Sequence, residues 1–189
     1  MLAPAAAALA ALPGTRANRP FQASWVVPSA EAAAASWTRT MGIGPFFLFA
    51  DVEVDDFRYR GAPSRYGCRV AIAQAGDMQI ELIEQPHDLP SAYRDLVPAG
   101  RSGFHHVGLF AEDFDRELAA YEALGFARAA EGRVGAMRFA YVDTSPTIGC
   151  MVELLAEDAA MRAAFAGIAA AARGWDGERP LRGIEELAG

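Results

Sequence analysis

One order of elements is spelled out twice along this chain, and that duplication restricts the fold more than any single motif does. Phe21-Gln22-Ala23-Ser24-Trp25-Val26-Val27-Pro28 reads as a strand stopped by proline, with Gln22, Ser24 and Val26 on one face. Ser29 is placed to cap a helix through Glu31 to Trp37 that ends near Met41-Gly42. The turn Gly42-Ile43-Gly44-Pro45 then leads into a second apolar strand, Phe46 to Val52, and the acidic segment Glu53 to Arg65 reads as strand edge and loop. Arg69 to Gln74 and Met78 to Ile83 flank the turn Ala75-Gly76-Asp77 as a hairpin. The second unit repeats this order. A strand from His105 to Phe110 precedes a helix capped by Asp113 and closed by Gly125; Phe126 to Ala130 is a strand before the Gly132/Gly135 turn, and Met137 to Asp143 pairs with Gly149 to Leu155 around Thr144-Ser145-Pro146-Thr147.

The fold class that follows is α+β, two tandem βαβββ units with a C-terminal helix added. The divisions expected are a flexible N-terminal extension over 1–19, a first module over 20–86, a proline-rich linker over 87–102 with a helical turn near Ser91 to Leu96, a second module over 103–156, and a C-terminal helix and tail over 157–189. Met161, Phe165 and Ile168 at helical spacing place the helix of Glu157 to Arg173 against the sheets, and Gly174 to Arg182 reads as an ordered cover without chemistry of its own.

The duplication can be aligned residue by residue. Gln22 falls where His106 falls, Met41-Gly42 matches Leu124-Gly125, and Gln79-Ile80-Glu81-Leu82-Ile83-Glu84 matches Met151-Val152-Glu153-Leu154-Leu155-Ala156. Each last strand carries one carboxylate between apolar neighbours, Glu81 and Glu153, and alternation turns those neighbours to the other face. A carboxylate buried in a strand must be paired, protonated or bound to a metal. If the halves pack with two-fold pseudosymmetry, Gln22, Glu81, His106 and Glu153 converge, and one imidazole with three oxygens makes a mixed N/O site for a divalent ion with positions left for water or substrate. Alternation sends His105 to the face opposite His106, so His105, like His87, is read as structural or surface.

Composition removes other functions. A net charge of −7, with no run of basic residues, argues against a nucleic-acid partner. No apolar stretch approaches the ~18 residues needed to span a bilayer, so no membrane partner is expected. The alanine-rich start lacks the basic and strongly apolar regions of a secretory signal. The two cysteines, Cys68 and Cys150, stand alone in apolar runs and read as free thiols in a reducing cytoplasm.

The twofold βαβββ order, the Gln22, Glu81, His106 and Glu153 positions, the Gly42-Ile43-Gly44-Pro45-Phe46 turn and the Phe104-His105-His106-Val107 strand resemble the vicinal oxygen chelate superfamily. That superfamily includes glyoxalase I, methylmalonyl-CoA epimerase, extradiol dioxygenases and bleomycin-resistance proteins. The resemblance covers roughly Phe21 to Ala156 and is closest in style to the glyoxalase and epimerase-like branch. It implies two cupped mixed sheets around a central metal-binding cavity, with one divalent ion (zinc, nickel, cobalt or manganese) held between the halves. The Gln/Glu/His/Glu set matches the ligands of glyoxalase I, whereas the epimerase has His at the first position and Gln at the second. The dioxygenases need two histidines and one carboxylate, which this set does not supply. The glutathione-binding side chains of glyoxalase I are also missing, because Val26, Gln85 and Ser102 stand at their positions, although Arg101 adjoins the last.

The activity implied is that of a lyase or isomerase that abstracts a proton beside a metal-chelated carbonyl, with Glu153 as base and Glu81 as its partner across the pseudo-two-fold. Inward faces predict a mostly apolar substrate pocket of Ser24, Val26, Phe47, Phe110, Phe139, Tyr141 and Met151, suited to a small carbonyl compound with an aromatic or acyl part. The alternatives are a ligand-sequestering protein of the bleomycin-resistance type and an inactive scaffold. Proteins of this fold commonly pair, so a homodimer is compatible with a site held within one chain.

Overall fold

Pro28 ends a six-residue strand, β1 (Gln22–Val27), and Ser29 beyond it accepts a hydrogen bond from the Ala32 amide to start α1 (Ala30–Met41). Gly42 stops that helix in the left-handed region at φ 68°, a conformation other residues adopt only with strain. The structure, a computed structural model, describes residues 20–188, so the N-terminal extension expected over 1–19 lies outside the described residues. The first unit continues through β2 (Phe46–Phe49), a small hairpin of β3 (Asp55–Tyr59) and β4 (Ala62–Pro63), and the hairpin of β5 (Arg69–Ala75) and β6 (Met78–Glu84). A connector carrying α2 (Ala92–Leu96), capped by Ser91, leads to β7 (Gly103–Ala111). α3 (Phe114–Ala123) follows; its start is closed reciprocally, with the Asp113 carboxylate accepting from the Arg116 amide and the buried Glu117 accepting from the Asp113 amide. β8 (Arg128–Val134), β9 (Met137–Val142), a single turn α4 (Ser145–Ile148) and β10 (Met151–Ala156) complete the second unit, and α5 (Ala159–Ala172), β11 (Leu181–Gly183) and a 3-10 turn over Ile184–Ala188 form the tail.

The two expected cups are joined into one curved sheet of eleven strands in the order β11-β2-β5-β6-β1-β7-β10-β9-β8-β3-β4. Within each unit the first strand runs parallel to the last, β1 with β6 and β7 with β10. The seam between units is the antiparallel pair β1 and β7. Gln22 lies opposite Gln79 and Ser24 opposite Glu81, just as His106 lies opposite Met151 and Gly108 opposite Glu153. Across the seam the pairs cross, Gln22 with Gly108 and Ser24 with His106, which is the pattern of a two-fold passing through the Ala23/Val107 pair.

Alternation divides the apolar residues between two faces. On the outer face, α1 packs Ala30 and Ala34 against Ala71, Ala73 and Leu82, and α3 packs Phe114 and Leu118 against Val152 and Leu154. The inner face carries the largest cluster, including Val26, Phe47, Ile83, Phe139, Met151 and Leu155, and α5 closes onto it through the fully buried Ile168. By the usual measure for buried aliphatic side chains, truncating Ile168 to alanine would cost about 2–5 kcal/mol.

Three expectations differ from the structure locally. β2 stops at Phe49 rather than Val52, because the chain leaves the first unit there and lays β3 beside β8 of the second. β8 runs through Gly132 instead of turning at it; a Cβ there would come within 2.6 Å of the Val54 side chain and 3.1 Å of Phe139, so the strand can pass only because the residue is glycine. The turn around Ser145 and Pro146 is helical, and Gly149 ends it at φ 80°.

Candidate metal centre

The strand register brings Glu81, His106 and Glu153 together: one ligating atom from each lies within 4.8 Å of the others. His106 Nε2 is 3.2 Å from a Glu153 oxygen and 3.4 Å from a Glu81 oxygen. The imidazole is fully buried, and among the described residues its Nε2 has no hydrogen-bond partner. A buried ring nitrogen facing two carboxylates without a donor-acceptor match is the environment a cation completes. The donor set of one nitrogen and two carboxylates suits a divalent ion such as zinc, nickel, cobalt or manganese and does not single out one of them.

Each carboxylate has its own surroundings. Glu81 accepts a 2.7 Å hydrogen bond from the hydroxyl of Ser24, its neighbour on β1. Burial pushes the Glu81 carboxyl up to about 7; the nearby His106 pulls it down, Glu153 adds to the rise, and the Ser24 hydroxyl opposes it. Glu153 comes from β10 beside Gly108. The missing side chain at Gly108 matters, since a Cβ there would sit 3.1 Å from both the Cβ and Oε1 of Gln22. Gln22 is buried, and its amide nitrogen donates to Gln79 Oε1 at 3.2 Å.

Gln22, Glu81 and Glu153 open onto a cavity with about 610 Å³ of atom-free space, part of it continuous with solvent. Its remaining wall is almost wholly apolar and includes Phe49, Val70, Ile72, Phe139, Met161 and Phe165. Of the predicted pocket residues, Phe139 and Tyr141 line this cavity. The other five lie outside its wall. Ser24 is spent on the Glu81 carboxylate; Val26, Phe47 and Met151 are buried in the core of the inner face; and Phe110 stacks on Phe21 at 4.2 Å, beneath the Arg162 guanidinium. These positions face inward as alternation requires, but neighbouring side chains cover them.

Sequence reasoning missed several contributors. The helix of the tail packs on the sheet through Met161, Phe165 and Ile168 as their spacing predicts, and Met161 and Phe165 also form part of the cavity wall, which that spacing alone does not indicate. Tyr66 and Tyr141 line the cavity, and Tyr93 links them behind it, donating to the Tyr66 hydroxyl at 3.1 Å and lying 3.1 Å from that of Tyr141. Burial holds all three phenols well above their ordinary range, so they stay neutral donors. His105 is neither on the opposite face nor at the surface. It is fully buried with its Nδ1 2.9 Å from Nδ1 of His106, and burial drives its pKa down to about 3. No signal in the sequence marks it, because the displacement comes from a break in strand register. His87 is structural as expected, with its Nε2 2.7 Å from the Tyr66 carbonyl. Cys68 and Cys150 are free buried thiols, and burial pushes Cys68 up to about 12.

A profile of the glyoxalase/bleomycin resistance protein/dioxygenase superfamily matches residues 21–141. The chain belongs to that superfamily. Among solved structures it is similar to a variant of Streptomyces coelicolor methylmalonyl-CoA epimerase in complex with 2-nitronate-propionyl-CoA, at 19% identity and a TM-score of 0.53, covering 75% of this chain and 98% of the epimerase. The Mycobacterium tuberculosis methylmalonyl-CoA epimerase is similar at 17% identity and a TM-score of 0.52, covering 75% and 89% of the two chains. A hypothetical protein from Bacillus halodurans, at 16% identity and a TM-score of 0.51, covers 75% and 95%. A search of curated proteins finds no match. At these identities the likeness establishes the shared fold. Among the described residues, no helix is long and apolar enough to cross a membrane.

Proposed function

We propose that this chain is a divalent-metal-dependent isomerase, epimerase or lyase that removes a proton alpha to the carbonyl of a small, partly apolar substrate. The observation that carries the reading is the unpartnered His106 Nε2, buried between Glu81 and Glu153 beside a cavity with an apolar wall. Glu81, His106 and Glu153 would hold the ion, and Gln22 would add its amide oxygen, since its nitrogen is already engaged by Gln79. When bound, a divalent ion stabilises the negative charge that develops on the carbonyl oxygen as the carbon acid loses its proton.

The chain's own residues would handle the proton. Glu81 is pinned by the Ser24 hydroxyl, so Glu153 is assigned as the base and Glu81 as its partner. Both face the cavity, within reach of a substrate bound there. The apolar wall excludes water from the reacting carbon, and the neutral Tyr66, which accepts from Tyr93, keeps its own hydrogen to donate within it. Fold likeness to methylmalonyl-CoA epimerases supports proton transfer beside a carbonyl as the reaction class, while the apolar wall supports a substrate with an aryl or acyl part.

Elemental analysis of protein purified without chelator tests the reading. The expected result is one divalent ion per chain, absent from His106→Ala and Glu153→Ala. An ion-free protein that takes up none of zinc, nickel, cobalt or manganese would replace this reading with ligand sequestration by a non-catalytic protein. Unchanged turnover in Glu153→Gln, on a substrate found by screening carbonyl compounds, would remove Glu153 from the base role.

A further inference from the structure

In a regular strand neighbouring side chains point to opposite faces, yet His105 and His106 turn their rings toward each other. The pairing of β7 with β1 shows why. Ser24 is opposite His106 and Trp25 is opposite Phe104, so His105 is the extra residue of a bulge at the seam. Both rings are fully buried, and the rings of Tyr93 and Tyr141 pack around His105 at 5.0 and 5.6 Å.

Hydrogen-bond counting then fixes where the ring protons sit. The Ala92 carbonyl in α2 can only accept, so His105 Nε2, 3.0 Å away, carries a hydrogen. A neutral imidazole has a single N–H, which leaves His105 Nδ1 as a bare lone pair. Across the 2.9 Å gap, His106 Nδ1 must therefore be the donor, so whenever that ring carries a single hydrogen its Nε2 is the bare nitrogen. That nitrogen is the one facing Glu81 and Glu153.

We propose that His105 is a positioning residue: it relays the Ala92 carbonyl's demand for a donor through its own ring and locks His106 in the tautomer whose Nε2 lone pair faces Glu81 and Glu153. The consequence for ion binding rests on the metal-centre reading above, whereas the tautomer is a property of the protein alone. A metal-bound histidine is oriented by the partner of its other nitrogen, and loss of such a partner weakens binding by about 10–100-fold. Here that partner is a second imidazole, with a backbone carbonyl of the connector behind it.

The tautomer is read from long-range proton–nitrogen NMR correlations of 15N-histidine-labelled, metal-stripped protein at mildly alkaline pH. The expected spectrum shows His106 protonated at Nδ1 only and His105 at Nε2 only. A hydrogen on His106 Nε2 overturns the proposal. The second arm measures zinc affinity by chelator competition in His105→Leu and His105→Gln. Glutamine can accept from His106 Nδ1 and donate to the Ala92 carbonyl, so it should stay within a few-fold of wild type, while leucine weakens zinc binding by about 10–100-fold. Equal affinity in wild type and the leucine variant, or a glutamine variant as weak as the leucine one, also overturns it. If the wild type binds no zinc or other divalent ion, the metal-centre reading falls, and the NMR result alone decides the tautomer.

Discussion

Glu81→Gln in metal-stripped protein isolates one proton. The carboxyl titrates at about 7 in the folded chain against an ordinary 4.5, and its side chain is only 12% exposed. Because the folded state keeps a proton that the unfolded state releases, the contribution is fully present below pH 4.5 and is lost as pH rises toward 7. At about 1.4 kcal/mol for each pH decade, the loss amounts to about 3 kcal/mol. His105 opposes it. This ring stays neutral in the folded chain down to about pH 3 but charges at an ordinary 6.5 when unfolded, so its contribution is lost as pH falls through that range. In the wild type the two slopes nearly cancel between pH 4.5 and 6.5, and the stability curve should be almost flat there. Glutamine at 81 can still accept from Ser24 but cannot take a proton. The variant should therefore gain on the wild type steadily, by about 3 kcal/mol from pH 4.5 to 7, in urea unfolding measured with a chelator present. Parallel curves for the two proteins would refute a buried, proton-holding carboxyl at 81.

The proton has to leave before a cation binds, so zinc affinity should rise about tenfold per pH unit below about 7, in competition titrations. Ser24→Ala removes a hydrogen bond to a charged group, worth about 1.5–3 kcal/mol, and should weaken zinc binding by about tenfold or more at neutral pH, in the same titrations. Gly108→Ala forces Gln22 to shift by tenths of an ångström and should lower zinc affinity with the fold retained by circular dichroism. Phe165→Ala opens the cavity at α5; half-buried, it should cost about 2 kcal/mol in urea unfolding and increase binding of an apolar fluorescent probe.

What the sequence made legible was whatever depends on short-range periodicity. The caps at Ser29 and Asp113, the hairpin at Gly76 and the alternation that turns Glu81 and Glu153 inward are all local rules, and duplication extends them by putting equivalent residues at equivalent places. What escaped was whatever depends on how one strand slips past another. The bulge that reverses His105 is a property of the β1 and β7 pair, to which neither strand's own pattern points. The covering of Val26, Phe47 and Met151 depends on side chains far along the chain, and the role of Met161 and Phe165 depends on where α5 comes to rest.

The outer rim of each half is finished by chain belonging elsewhere. β3 and β4, from the first unit, extend the second unit's rim at β8, while β11, from the tail, lies along the first unit's rim at β2. Arg60, just past β3, bridges Asp95 of the connector and Asp143 beyond β9 at 2.7 Å each. The halves are thus clasped in both directions as well as zipped along their seam. A protease cut in the connector would leave two fragments that travel together through gel filtration and melt as one, since separating them means stripping three strand pairings at once. The two repeats here make a unit that can be nicked but not halved.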